Sequence, residues 1–111
     1  MLSNRPAKMV PLQFLSNVKA TLYTPAADVK YAIIREIRLN NTDSVTHTFT
    51  LSVGDPATTS NKFYDAVTIQ AEGAEPPNYS HATVLLPGDT IQGLADIANK
   101  VSVMISGIEY T

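Results

Sequence analysis

Apolar and polar residues alternate most regularly between positions 29 and 53, with the two-residue period of a β-strand. The pattern predicts one strand over 29–39 and a second over 45–53, separated by the turn-forming residues "NNTDS". We expect these strands to form an antiparallel hairpin with one buried and one solvated face. The residues predicted to face the core are Val29, Tyr31, Ile33, Ile37 and Leu39 in the first strand, and Val45, His47, Phe49, Leu51 and Val53 in the second.

Two neighbouring residues break the alternation of the first strand, because Ile34 falls on the solvated face and Arg35 on the apolar face. An unpaired guanidinium inside a core is costly, so three explanations stay open. A local bulge would turn Arg35 outward and Ile34 inward, and this is the explanation that we favour. Alternatively, Arg35 pairs internally with an acid such as Glu109, or it faces another subunit.

The rest of the domain also predicts short strands joined by turns. We expect a strand over 18–24 and two more in the C-terminal third, one on each side of the turn sequence "PGD". Residues 63–70 are a further candidate strand, and the overlapping sequence "TTSNKFYDA" is equally compatible with a helical turn. The last strand is predicted to contain a bulge at Gly107, after which Ile108 and Tyr110 face the core.

The N-terminal residues 1–17 are predicted to form an extended arm, because Pro6 and Pro11 disfavour a helix there. The arm is too apolar for a freely solvated tail, so it lies either on the domain or on a neighbouring molecule. Residues 18–111 then form the domain. Six or seven strands without a long helix predict an all-β fold, a single antiparallel β-sandwich of immunoglobulin-like or jelly-roll topology.

Composition narrows the class of protein further. The chain has 111 residues, enough for one domain with one modest core. An apolar share of 44% argues against a disordered tail, and no apolar run is long enough to suggest a membrane span or a secretory signal. There is no cysteine, and the net charge of −2 with scattered basic residues argues against direct nucleic-acid binding.

The residues that usually carry chemistry are few. His47 falls within a strand and His81 follows a loop, and neither belongs to a motif with a nucleophile, so we expect no catalytic site and a structural His47. Asp55, Asp65 and Asp89 lie near strand ends without a calcium-loop pattern, so we expect no metal and no cofactor.

Three segments resemble small virion-associated proteins of tailed bacteriophages. They are "TLYTP", "AIIREIRLNNTDSVTHTFTLSV" and "LLPGDTIQGLADIANKVSVMISGIEYT", which together cover about two-thirds of the chain. The chain departs from that pattern in the arm before Val18 and in an insertion over 54–80. The resemblance implies a β-sandwich that is a non-enzymatic building block of the virion.

From this resemblance we expect a head-decoration or cement subunit that is assembled in the host cytoplasm and forms homo-oligomers. It would dock on capsid or tail proteins through its arm, a sheet edge and loops. The alternative is a tail or fibre module whose 54–80 loops bind a host receptor or glycan. The residues expected to contact partners are Met9, Leu12, Phe14, Arg35, Tyr64 and Tyr79.

Overall fold

The computed structural model describes residues 3–55, 57, 62–71, 78–79 and 83–111. Within them the chain forms β-strands and no helix, and hence no helix that could cross a membrane. The strands are β1 (Asn4–Phe14), β2 (Ala20–Tyr23), β3 (Tyr31–Asn41), β4 (His47–Gly54), β5 (Lys62–Ile69), β6 (Asn78–Tyr79), β7 (Thr83–Leu85), β8 (Thr90–Ala95) and β9 (Val101–Tyr110).

The strands form two antiparallel sheets that pack as a β-sandwich, which confirms the predicted fold class. Sheet A has the order β1-β9-β3, and both β6 and β7 pair with β3 along its other side. Sheet B has the order β2-β8-β4-β5. If β6 and β7 count as two parts of one strand, this is the order of a jelly roll. In an immunoglobulin fold, by contrast, the first two strands pair within one sheet.

The predicted hairpin between residues 29–39 and 45–53 is wrong, because β3 belongs to sheet A and β4 to sheet B. The connecting residues make a corner across the core. There the Asn41 side chain donates to the carbonyl of Val45 at 2.8 Å and accepts the Asp43 N–H at 2.9 Å. These side-chain bonds replace the ladder bonds of a hairpin. Val45, which was predicted to face the core, lies in this corner and is 55% exposed.

The core lies between the two sheets and contains the apolar residues of both. The prediction is confirmed for one face of β4, where Phe49 and Leu51 are buried. The opposite face of β4 was predicted to be solvated, but Thr50 and Ser52 are buried as well. Thr50 accepts the backbone N–H of Ala66 at 3.0 Å, so this polar group is satisfied within the sheet.

A bulge at Arg35 explains the broken pattern of β3. Ile34 is opposite Gly107 of β9 and Glu36 is opposite Ser106, so Arg35 has no partner position in β9. Ile34 is 0% exposed and Arg35 is exposed, which confirms the explanation that we favoured. Because of the extra residue, the side chains before Arg35 face the opposite way from the prediction. As a result Ile33 lies on the outer face of the sheet, where the prediction had placed it inside.

The bulge predicted at Gly107 is not in β9, whose side chains alternate regularly along its whole length. The irregularities lie in its two neighbours: β3 at Arg35, and β1 between Ala7 and Val10. Ile108 and Tyr110 consequently lie on the outer face, not in the core as predicted.

Most of the predicted arm forms the edge strand β1, which pairs with β9 of the same chain. Ser3 and Thr111 exchange two backbone hydrogen bonds of 2.9 and 2.8 Å, and alternation from this pair directs the backbone nitrogen of Pro6 away from β9. Proline costs no ladder bond at that position, and it leaves the open edge without a donor there.

Candidate functional site

The arm residues that were expected to contact partners fall into two groups. Met9 is buried in the core of its own domain, so in this structure it contacts its own chain. Leu12 and Phe14 are 71% and 49% exposed at the far end of β1, where the register with β9 is again irregular. The structure therefore presents two large apolar side chains on an edge strand.

The other three expected contact residues lie on different strands. Arg35 is exposed on the bulge of β3, on sheet A. Tyr64 is half-buried in β5 of sheet B, with its ring centroid 6.0 Å from that of Phe49. Tyr79 pairs through its backbone with Ile37, and its side chain lies outside the described residues, as does His81. The structure does not bring Arg35 and Tyr64 together with the exposed arm residues in one site.

A second apolar surface lies on the outer face of sheet A, and sequence reasoning missed it. Pro6, Ile108, Ile33 and Val84 are successive cross-strand partners and form a row across four strands. Beside this row Tyr31 and Tyr110 stack with their ring centroids 4.5 Å apart. We call these six residues the outer-face patch. The adjacent isoleucines at 33 and 34 were the available signal, because a strand with one solvated face seldom carries two in succession.

His47 is held between two carboxylates at the end of the sandwich where β9 begins. Its Nε2 lies 2.8 Å from Asp43 Oδ2, and its Nδ1 lies 3.2 Å from Asp96 Oδ2. Asp43 belongs to the corner between β3 and β4, and Asp96 follows β8. The buried ring therefore ties together two connections that cross between the sheets.

This arrangement favours the protonated imidazolium. The hydrogen bond with Asp43, followed by that with Asp96, raises the pKa of His47, although burial opposes the shift. The hydrogen bond with His47, followed by that with the Ser44 N–H, lowers the pKa of Asp43. Because a carboxylate faces each ring nitrogen, His47 is placed as a structural cation and not as a base beside a nucleophile.

A second charged cluster lies at the opposite end of β9, near the N-terminus of the arm. Arg5 donates from Nε to Glu109 at 2.8 Å and from its two terminal nitrogens to Asp28 at 3.2 and 3.3 Å. The Tyr23 hydroxyl, on sheet B, donates to the other oxygen of Glu109. Burial and the bond to Glu109 raise the pKa of Tyr23, while the bonds from Tyr23 and Arg5 lower the pKa of Glu109. The cluster joins the two sheets and the arm.

The three aspartates considered for a cation have other partners. Asp55 accepts the Ala57 N–H at 2.9 Å, and Asp89 accepts the Leu86 N–H at 2.9 Å, as turn-forming residues do. Asp65 forms an ion pair of 3.6 Å with Lys62. In the part of the chain that the structure describes, no group of His and acidic residues is placed to hold a metal ion.

Comparison with known proteins gives a likeness of fold. No protein-family model and no curated protein matches the chain. Among solved structures, the fold is similar to that of a Bacillus endospore appendage, one of a family of disulfide-linked pili. The match has a TM-score of 0.55 at 13% sequence identity and covers 100% of this chain and 90% of that one. The two chains therefore share a β-sandwich fold.

Proposed function

We propose that this protein is a non-enzymatic structural subunit that docks on neighbouring proteins of a larger assembly. The observation that carries the proposal is the exposure of Leu12 and Phe14 on the edge strand β1. Burying a large apolar side chain contributes about 2 kcal/mol, so two of them on one strand give a partner a strong anchor.

The assembly that we propose is the particle of a tailed bacteriophage, with the protein as a head-decoration or cement subunit. The sequence segments that resemble virion proteins include most of the framework strands β3, β4, β8 and β9. The fold is also similar to that of a pilus protein, which supports the more general part of the proposal, that this protein is a structural subunit of an assembly. The 111 residues contain no cysteine, so copies of this chain cannot be joined to one another by disulfides.

The test is incorporation into particles. We expect the protein to co-purify with phage heads, and particles that lack it to inactivate faster on heating. The double variant Leu12→Ser/Phe14→Ser should fold, because both positions are exposed, but should be depleted from heads. Val45→Ser is the matched control, since it removes an exposed apolar side chain from a corner outside the edge strand.

Two results would count against the proposal. Heads that contain the double variant in normal amount would rule out the edge-strand site. Heads that lack the wild-type protein, together with binding of the purified protein to host cells, would favour the receptor-binding alternative. Much of the 54–80 segment on which that alternative depends lies outside the described residues. Deleting the whole arm is a poor test, because it would also remove Met9 and Val10 from the core.

A further inference from the structure

We propose that His47 positions the exposed end of β1, and that the loss of its proton at alkaline pH loosens that end. The inference rests on the proposed function, because Leu12 and Phe14 at this end are the docking residues of that proposal. It deepens the proposed function by naming how docking is regulated. His47 is buried, so it acts on β1 through the chain that lies between them.

The end of β1 is held by the segment that joins β8 to β9, residues 96–100, which we call the β8–β9 connection. The carbonyl of Leu15 accepts the N–H of Asn99 from this connection at 3.3 Å. The carbonyl of Ser16 accepts the N–H of Ala95, the residue just before the connection, at 2.8 Å. These two bonds fix the chain immediately after the docking residues.

The docking residues depend on this anchor because their own pairing with β9 is irregular. The register shifts between Val10 and Gln13, and Leu12 lies within the shifted stretch. Leu15, by contrast, is buried in the core. A change in how Leu15 is held therefore alters the position of the two exposed side chains before it.

Asp96 ties the β8–β9 connection to His47. Its two carboxylate oxygens lie 3.1 and 3.2 Å from Nδ1 of the ring, and its backbone N–H donates to the carbonyl of Thr48 at 3.1 Å. The far end of the connection is held by Thr42, whose N–H and hydroxyl each donate to the carbonyl of Lys100 at 2.8 Å. Among these contacts, the one between Asp96 and His47 depends on a proton of the ring.

The loss of that proton breaks the contact with Asp96 and keeps the one with Asp43. The imidazolium has two N–H groups, one for each carboxylate, whereas the neutral ring has only one. The ring keeps its proton on Nε2, because Asp43 is closer, at 2.8 Å, and its side chain is 23% exposed against 43% for Asp96. Nδ1 then presents a lone pair to the Asp96 carboxylate, which has nothing to donate. Asp96 turns to water, and the connection loses its side-chain anchor.

The surroundings of the ring place this change above about pH 6.5, the ordinary value for histidine. In the part of the chain that the structure describes, the charged groups that face His47 are Asp43 from the corner and Asp96 from the connection, while Lys100 acts on Asp43. From β5, the uncharged Ile69 is opposite His47. The bond with Asp43, and then that with Asp96, raises the pKa of His47. Both contacts are therefore complete below about pH 6.5, and the one with Asp96 is lost as pH rises through the raised value.

Hydrogen exchange of the isolated protein tests the coupling. Backbone amides are labelled in short pulses of D2O at about pH 6 and about pH 9, read by NMR, and corrected for the intrinsic effect of pH on exchange. We expect protection of the Ala95 and Asn99 amides to fall about tenfold at the higher pH, the ratio expected for one hydrogen bond to a charged group. The Lys30 and Thr111 amides, bonded at the opposite end of β9, should change by less than about twofold. Equal losses at both ends would be a global effect of pH and would overturn the inference.

Asp96→Asn removes the pH dependence and keeps the contact, because an amide side chain both accepts from an N–H and donates to a ring lone pair. We expect the Ala95 and Asn99 amides of this variant to be equally protected at both pH values. Asp65→Asn is the matched control, since Asp65 is an exposed acid on β5, and it should keep the wild-type pH dependence. If Asp96→Asn loses as much protection as the wild type, the inference is wrong. Thermal unfolding at about pH 6 checks that both variants fold.

The same variants connect this coupling to docking. Phage heads that lack the protein are mixed with the wild type or a variant at about pH 6 and about pH 9. We expect the wild type and Asp65→Asn to bind about tenfold more weakly at the higher pH, and Asp96→Asn to bind equally at both. The same pH dependence in all three proteins overturns the regulation of docking. Heads that bind the wild type at neither pH count against the proposed function alone, because hydrogen exchange of the isolated protein still decides the coupling.

Discussion

Gly107 of β9 lies where the two neighbouring strands leave no room for a side chain. A Cβ at this position would collide with the backbone carbonyl oxygen of Ile33 and would lie 2.8 Å from the terminal methyl of Met9. Both neighbours of β9 are irregular here, with Arg35 bulged out of β3 and the β1 register shifted after Ala7. The absence of a side chain is thus what allows the two irregular strands to flank a regular one.

Replacement of Gly107 by alanine should therefore be severe. We expect Gly107→Ala to lower the free energy of unfolding by more than about 2 kcal/mol, because backbone cannot move aside as a side chain can. Gly93→Ala is the matched control. Its Cβ would lie 2.9 Å from the terminal methyl groups of Leu22 and Leu51, and these flexible side chains can move aside. We expect a cost of about 1 kcal/mol there. Urea unfolding, monitored by tyrosine fluorescence, measures the free energy of unfolding of both variants. Equal losses of stability in the two variants would contradict the prediction.

Among the secondary-structure elements, β3 shows how one extra residue determines which side chains of a strand face the core. Arg35 has no opposite position in β9, and on each side of it the side chains alternate normally. Removing it would leave Ile34 inward, Glu36 outward and Ile37 inward, which is regular alternation. The bulge is therefore a position where the strand can be shortened by one residue without a change of register elsewhere.

Single-residue deletions test this directly. We expect the protein without Arg35 to fold, with a loss of about 1–2 kcal/mol from the adjustment of local pairing. Deleting Arg38 instead moves Leu39 and the residues after it to the opposite face, so that variant should fail to fold. Circular dichroism and urea unfolding distinguish the two. If both deletions were equally damaging, the bulge would not be what absorbs the extra residue.

The sequence pattern predicted the elements well and their partners poorly. The strands and the fold class follow from alternation and turn residues, and so does the bulge, because burying the charge of Arg35 in the core would be costly. The hairpin was predicted wrongly, since a five-residue connection suits either a hairpin or a corner between sheets. Whether the connection is a hairpin or a corner depends on pairing with distant strands such as β9. The local sequence pattern carries no information about that pairing. The outer-face patch was missed because Ile33 and Ile108 were assigned to the core.

At the scale of the whole molecule, two charged clusters lie at opposite ends of β9 and depend on pH in opposite ways. His47, with its raised pKa, keeps its proton to higher pH in the folded protein than in the unfolded chain, where it titrates near about 6.5. Its contribution to stability is therefore complete below that pH and is lost as pH rises through the raised value. Glu109, with its lowered pKa, contributes above about pH 4.3 and loses this contribution as pH falls through the lowered value.

The two pH dependences can be measured by urea unfolding of the wild type, His47→Gln and Glu109→Gln from about pH 3 to about pH 9. The difference in stability between wild type and His47→Gln should be largest near about pH 6 and should shrink toward alkaline pH. The difference between wild type and Glu109→Gln should be largest at neutral pH and shrink in acid. A stability difference between wild type and His47→Gln that grows toward alkaline pH would contradict the stabilisation of the His47 imidazolium by Asp43 and Asp96.

The order of strands in sheet A has a consequence for how the chain folds during its synthesis. Strand β9 is made after β1 and β3 and lies between them, so neither of these has its main partner until the ribosome has translated residues 101–110. Until then Val10 and Ile34, which are fully buried in the finished sheet, lack the strand that covers them. Such long-range closure is slow compared with local folding, and it leaves the nascent chain open to aggregation. The time that β1 and β3 spend unprotected thus depends on when β9 becomes available to pair with them.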